Sequence, residues 1–209
     1  MTPEALAALA GWDIDVEAHQ RLSRFVGLVE RWTNKINLIA PTPTDQIWQR
    51  HVADCAQLLP YIPRDARRLV DLGSGGGFPG VILAILTEGR QPLPEIILIE
   101  SDSRKAAFLR TAAATLSLQV RIEAARAEAI LPLSADVVTA RALAPLGTLM
   151  PLVLRHLAPE GVGILPKGRH YRIELAGSDT AGLSIRSEPS RTDPEAAILL
   201  IGRARDGRD

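Results

Sequence analysis

Val70-Asp71-Leu72-Gly73-Ser74-Gly75-Gly76-Gly77-Phe78-Pro79-Gly80 reads as a buried strand closing on an acid, then a glycine loop, then the opening of a helix. Leu69 to Leu72 form the short strand, and Val81-Ile82-Leu83-Ala84-Ile85-Leu86 continue at helical spacing. Glycines at 73, 75 and 77 let the backbone turn sharply and come close to a bound molecule, because no Cβ intervenes. Pro79 suits a first helical turn, where its missing N–H costs nothing.

Two ligands fit such a loop. Gly75-x-Gly77-x-x-Gly80 matches the dinucleotide pattern literally. Asp71 followed by Gly-x-Gly-x-Gly resembles motif I of the class I methyltransferases that use S-adenosylmethionine (SAM). A tight strand–helix connection with no ligand at all uses glycines too, so the rest of the chain has to decide.

Working outward, residues 1–63 read as helices. Thr2-Pro3-Glu4 caps a short helix ending at Gly11, and Asp13 or Asp15 starts a longer one. That second helix carries Leu22, Phe25, Val26, Val29, Trp32 and Ile36 on one face. Thr44-Asp45 caps a third, bearing Ile47, Trp48, Val52, Cys55 and Leu58, and Pro60 and Pro63 close the section. From residue 64 strands and helices alternate. Strands are expected at Leu69–Leu72, Ile96–Glu100, Gln119–Glu123, Asp136–Ala140, Gly161–Pro166, Leu183–Glu188 and Ala197–Arg203. Helices are expected at Pro79–Thr87, Ser103–Leu116, Pro145–Leu157 and near Arg169–Ala176, with a frayed tail from Arg203 to Asp209. Strand–helix repeats closing on a strand pair predict an α/β fold: a doubly wound, Rossmann-like sheet of seven strands after an N-terminal helical section. That ending suits the class I methyltransferase sheet better than a dinucleotide fold.

Composition bounds the function. Over 209 residues the formal net charge is zero, so nothing global marks a nucleic-acid binder, and only a local basic patch has room. No apolar run reaches the ~18 residues of a membrane span, and the start lacks a basic signal region. The single cysteine, Cys55, excludes an intrachain disulfide and a cysteine metal cluster, and a cytoplasmic location follows as the default. Of 24 basic residues only Lys35, Lys105 and Lys167 are lysine, which singles out positions where a compact ammonium suits better than a planar fork.

In a doubly wound sheet the ligand sits beyond the C-terminal strand ends. Strand two ends at Glu100, placed to accept both ribose hydroxyls of a nucleoside; an ordinary acid at a helix N-terminus is the plainer alternative. Strand three is followed by Ala125-Arg126-Ala127-Glu128, where an adenine would lie. Strand four ends in Thr139-Ala140-Arg141-Ala142 and strand five in Leu165-Pro166-Lys167-Gly168. Arg126, Arg141 and Lys167 are thus expected to cluster at the catalytic edge, unless they pair with Glu128 or Glu100. The Asn/Asp-Pro-Pro-Tyr/Phe box of many amino-directed enzymes is missing, and Cys55 stands far away in the helical section from where a cytosine-C5 enzyme needs its nucleophile. His51 and Asp54 share a helix face, as an oriented base or as a half-buried histidine at a junction. No metal-ligand cluster is present.

Taken together, Asn34-Lys35-x-Asn37-Leu38, Arg50-His51-x-x-Asp54, Asp71 to Gly80, Glu100-Ser-x-x-x-Lys105-x-x-Phe-Leu109, Arg126-x-Glu128, Arg141-Ala142 and Leu165-x-Lys167-Gly168 resemble one family in order and spacing. It is the RsmG/GidB family of bacterial small-subunit rRNA guanine-N7 methyltransferases. The resemblance spans Arg21 to about Arg203; Glu100 replaces a frequent Asp, and Pro166 precedes Lys167 where Leu is common. It implies methyl transfer from SAM to N7 of guanine 527 in the decoding-region loop of 16S rRNA, leaving S-adenosylhomocysteine. It further implies SAM contacts at Gly73, Phe78, Ala127, Glu128 and Arg141, beside those expected of Gly75, Gly77 and Glu100. The expected partner is 16S rRNA or a small-subunit precursor, met by a monomer through local cations such as Arg169 and Arg172. Methylation of another RNA or a small molecule is the alternative within the class; a dinucleotide-dependent oxidoreductase is the alternative outside it.

Overall fold

The computed structural model describes residues 1–204. The chain opens with α1 (Pro3–Ala10) and α2 (Val16–Ile36), both started by side-chain caps. Thr2 Oγ1 accepts from the Ala5 amide at 3.2 Å and Asp15 Oδ1 from the Ala18 amide at 2.7 Å. Gly11 and Asn37 end these helices in the left-handed conformation. The third helix departs from expectation. It begins as α3 (Thr44–Ile47), widens into a π-helical stretch over Trp48–Ala53 and resumes as α4 (Asp54–Ala56). Thr44 does not cap it. The cap position is Pro43, with no side-chain acceptor, and the Thr44 hydroxyl donates to the Glu30 carboxylate.

Seven strands follow: β1 (Arg68–Leu72), β2 (Glu95–Ile99), β3 (Val120–Glu123), β4 (Ala135–Ala140), β5 (Leu157–Lys167), β6 (Leu183–Pro189) and β7 (Ala197–Arg203). The helices between them are α5 (Gly80–Thr87), α6 (Ser103–Leu116), α7 (Leu146–His156) and α8 (Tyr171–Ala176). The sheet order is β3-β2-β1-β4-β5-β7-β6, with β1 to β5 parallel and β7 antiparallel to both neighbours. Strand β5 starts four residues before its expected Gly161, because Pro159-Glu160-Gly161 resembles a turn yet continues the strand across a register shift between β4 and β5. Arg203 belongs to β7; the remainder of the expected tail, from 205 on, lies outside the described residues.

Side-chain alternation divides the core. Leu69, Ile96, Leu98, Val137 and Ile164 face one side, packed with α1, α2, α5, α6 and the π-helical segment. Val70, Leu72, Ile97, Val138 and Leu165 face the other, under α7 and α8. Phe25 of α2 and Phe108 of α6 are fully buried in the first cluster, which runs without interruption across the expected boundary near residue 63. The helical section is thereby fixed against the same sheet face that carries the glycine loop, and its residues 49–57 reach the end of β4.

Candidate functional site

The order of the strands reverses between β1 and β4, and the crevice beyond their C-terminal ends is where such a sheet takes its ligand. The glycine loop is held from beneath by Asp71. This carboxylate is completely buried, takes the Thr139 hydroxyl at 2.7 Å and the Gly80 amide at 3.1 Å, and burial pushes its pKa up to about 6. Gly80 has to be glycine for this contact, since a Cβ would come within 2.6 Å of Asp71 Oδ2 and 2.4 Å of Leu98 Cδ2.

The four expected loop contacts separate into two kinds. Gly73 (φ 66°) and Gly75 (φ 51°) are partly exposed, and a Cβ at Gly75 would meet nothing closer than 3.7 Å. Gly77 and Phe78 are buried toward the helical section. A Cβ at Gly77 would lie 2.7 Å from Val81 and 2.8 Å from Phe25, while the Phe78 ring lies 5.3 Å from that of Phe25 and 5.1 Å from that of His51. Their side-chain positions serve packing, so only backbone atoms remain for a ligand there.

Glu100, 7 % exposed, accepts the Gly75 amide at 2.8 Å through Oε2 and the Asp102 amide at 2.7 Å through Oε1. Each oxygen keeps a second lone pair for a ribose hydroxyl, so the carboxylate both shapes the loop and can accept from a nucleoside. On the far side Ala127 is buried, its carbonyl taken by His156 Nε2 at 3.0 Å, while Glu128 is exposed. A backbone-lined loop, an acceptor at the end of β2 and a fixed turn after β3 fit SAM well.

Beyond β4 and β5 a cleft of about 680 Å³ is lined by Arg50, Asp54, Arg141, Lys167, Glu174 and Thr192, among others. Arg141 does not pair with Glu100 or Glu128. Its Nη1 reaches Asp54 Oδ2 at 3.3 Å and the Arg50 carbonyl at 3.4 Å, its Nη2 meets His51 Nδ1, and its guanidinium lies 5.5 Å from the Phe78 ring centroid. Burial, aided by the Arg141 and Arg50 charges, lowers the His51 pKa to about 4, so the ring is neutral and Nδ1 is the acceptor. His51 is thus the half-buried junction histidine.

Asp54 binds further, taking Gln57 Nε2 at 2.8 Å and the Thr192 hydroxyl at 2.9 Å. Gln57 in turn accepts the Arg191 amide at 2.8 Å, so the turn between β6 and β7 is tied to the helical section. Lys167 pairs with Glu174 on α8, at 2.6 Å from Oε2.

Two expectations need correction. Cys55 is not far away: its Sγ lies 3.6 Å from Arg141 Nη1. It is nevertheless no nucleophile, because complete burial pushes its thiol up to about 12. Arg126 does not join Arg141 and Lys167. It is exposed, lies outside the cleft and follows β3, four strand spacings from β5, or on the order of 19 Å at the level of the sheet. Asp54, Gln57, Glu174 and Thr192 are the residues that sequence reasoning missed in these roles; only the Arg50-His51-x-x-Asp54 spacing hinted at any of them.

Comparison with known proteins agrees with this geometry. Residues 18–193 match the family described as GidB, rRNA small subunit methyltransferase G. Among curated relatives, the ribosomal RNA small subunit methyltransferase G of Cereibacter sphaeroides is 44 % identical over 196 residues, covering 93 % of this chain and 95 % of the relative. That of Paramagnetospirillum magneticum is 42 % identical, covering 100 % and 98 %. Among solved structures, a SAM-dependent methyltransferase from Aquifex aeolicus aligns with a TM-score of 0.56 at 13 % identity, covering 75 % of this chain and 91 % of that one. The 16S rRNA methylase RmtB aligns with a TM-score of 0.56 at 16 % identity, covering 96 % and 80 %. At such identities these structures speak for the class I methyltransferase fold alone. The glycine loop, the Glu100 acceptor and this close sequence kinship together establish that the chain belongs to the rRNA small subunit methyltransferase G family, SAM-dependent enzymes that methylate rRNA.

Proposed function

We propose that the enzyme methylates N7 of a single guanine in the decoding-region loop of 16S rRNA, the reaction that the motif resemblance implies. The observation that carries this reading is that the end of β4 offers Arg141 as a donor and no base left free for a substrate: Asp54 is taken up by Arg141, Gln57 and Thr192, and Asp71 is completely buried beneath the glycine loop. Arg141 is a donor, Cys55 stays protonated at a pKa of about 12, and His51, at about 4, is too weak a base to take a proton from an amide or amine. Guanine N7 needs none, since it carries an in-plane lone pair at neutral pH. When bound, SAM supplies an electrophilic methyl on its sulfonium. The work left to the chain is to hold the base in line, by donors to O6 and by the walls of the cleft.

Gly73, Gly75 and Glu100 would hold the cofactor, with the backbone around Ala127 toward its adenine. Arg141 and Lys167 would orient the base. A substrate of this kind puts the reaction in the bacterial cytoplasm; among the described residues no helix is long and apolar enough to cross a membrane. The test is transfer of labelled methyl from SAM to small subunits lacking the modification, followed by borohydride reduction and aniline cleavage, which cuts at N7-methylguanine. Label in the RNA without a cut at that guanine would refute the N7 assignment while leaving rRNA methylation intact.

A further inference from the structure

We propose that Glu174 is the specificity-determining residue of the acceptor cleft: its carboxylate accepts from N1–H and the 2-amino group of the target guanine while Lys167 donates to O6. This rests on the guanine-N7 reading above. Lys167 and Glu174 stand side by side at the end of β5, their side chains 11 % and 28 % exposed, and both line the 680 Å³ cleft. Their mutual contact and their link to the fold use one carboxylate oxygen. Oε2 takes Lys167 Nζ at 2.6 Å and the Leu146 amide at 2.8 Å. Oε1 takes no hydrogen bond among the described residues.

An ammonium has three protons. One goes to Glu174, a second reaches the Ala144 carbonyl only at 3.5 Å, and a third is left. The pair therefore presents a donor next to an acceptor. Burial alone would raise the Glu174 pKa, but the hydrogen bonds from Lys167 and Leu146 outweigh it and hold the group below its usual value, so at neutral pH it can only accept.

Guanine shows O6, N1–H and the 2-amino group in sequence along one edge: acceptor, donor, donor. Adenine, the other base with an N7 lone pair, shows a donor and then an acceptor, and would set its N1 against a carboxylate. Since N7 itself is common to both purines, this edge is where they can be told apart. Uracil shares the first two features and lacks N7.

The test uses semisynthetic 16S rRNA with guanine or inosine at the target position, assembled into small subunits and offered to the full-length enzyme with labelled SAM. Inosine keeps N7, O6 and N1–H and lacks only the 2-amino group. Wild-type kcat/KM should favour guanine at least about tenfold. In Glu174→Gln the guanine rate should fall and the preference should shrink to within about threefold, with SAM affinity by calorimetry unchanged. Equal use of guanine and inosine by the wild type overturns the proposal without any variant. A Glu174→Gln enzyme slowed equally on both substrates overturns it too, leaving the residue a purely structural link to α7. Borohydride and aniline cleavage of the wild-type product separates these failures from that of the N7 reading, which alone would abolish the cut.

Discussion

Replacing Asp54 with asparagine should loosen the acceptor cleft without touching the cofactor loop. Asp54 accepts from Arg141, Gln57 and Thr192, joining the helical section, the end of β4 and the turn before β7. Asparagine keeps one oxygen for Gln57 or Thr192 but loses the charge opposite Arg141. The two partners are 17 % and 22 % exposed, so solvent screens the pair only in part. Removing one member of a fully buried pair costs roughly 3–5 kcal/mol, because the other is stranded. Here the guanidinium keeps the Arg50 carbonyl and His51 Nδ1, so the loss should be nearer about 2 kcal/mol. Urea unfolding of Asp54→Asn, Arg141→Gln and the double variant gives the coupling, expected at about 1 kcal/mol. For Asp54→Asn, turnover should fall at least about tenfold while the SAM dissociation constant changes less than about twofold, since Asp54 reaches the cofactor loop only through Arg141. A coupling below about 0.3 kcal/mol would show that Asp54 does not hold Arg141, and the reasoning would fail.

Two of the loop glycines, Gly75 and Gly77, should behave differently. Gly75→Val should weaken SAM binding more than about tenfold with a modest stability cost from its positive φ, whereas Gly77→Ala should chiefly lower the unfolding midpoint, because its Cβ meets Val81 and Phe25; calorimetry and thermal melting distinguish them. His51, depressed to about 4, contributes stability that is present above about 6.5 and lost as pH falls toward 4. The cost of His51→Gln should therefore be smaller at pH 5 than at pH 7, by about 1 kcal/mol once its partial exposure is allowed for, and a pH-independent cost in urea titrations would rule out a neutral His51. Asp71 runs the other way: raised to about 6, it contributes stability below its unfolded pKa of 3.8 that is lost as pH rises through 6. Single-turnover methylation should be flat from about pH 7 to 8.5, as no base titrates there; a sigmoid rise that His51→Gln abolishes would restore a catalytic histidine.

Most of the fold was legible because its signals are local. The apolar run before Asp71, the glycines after it and the alternation of strands and helices each lie within a few residues, and six of the seven strands fall within one residue of expectation at each end. The site was less legible because its contacts are distant. Asp54 and Arg141 are 87 positions apart and Gln57 and Arg191 are 134 apart, so no spacing rule links them. The carboxylates at the ends of the neighbouring strands, Glu100 and Glu128, are the partners that proximity in the sheet suggests for the cations. The helical section and α8 supply them instead, because they pack against the sheet edge where β4 and β5 finish. The π-helical stretch at Trp48–Ala53 leaves no mark on composition, yet it carries Arg50 and His51 beside Arg141.

These pairings bear on how an enzyme with no net charge handles RNA. On the proposed reading the two cations at the ends of β4 and β5 are already neutralised, Arg141 by Asp54 and Lys167 by Glu174. A neutralised donor adds little long-range attraction for phosphate, but next to its acceptor it gives a patterned edge against which one base can be read. Affinity for the backbone then has to come from exposed arginines outside the pairs, such as Arg50, Arg126, Arg169 and Arg172. Four such contacts predict a slope of log K against log salt of about −3, shallow beside that of a wholly basic protein. Measured by filter binding on small subunits, a slope near −9 would mean about ten phosphate contacts, and the division between paired reading groups and a few exposed holding groups would be wrong. Replacing Arg169 and Arg172 together by glutamine should lower the slope by about two while leaving the guanine preference intact, since neither stands in the Lys167–Glu174 pair.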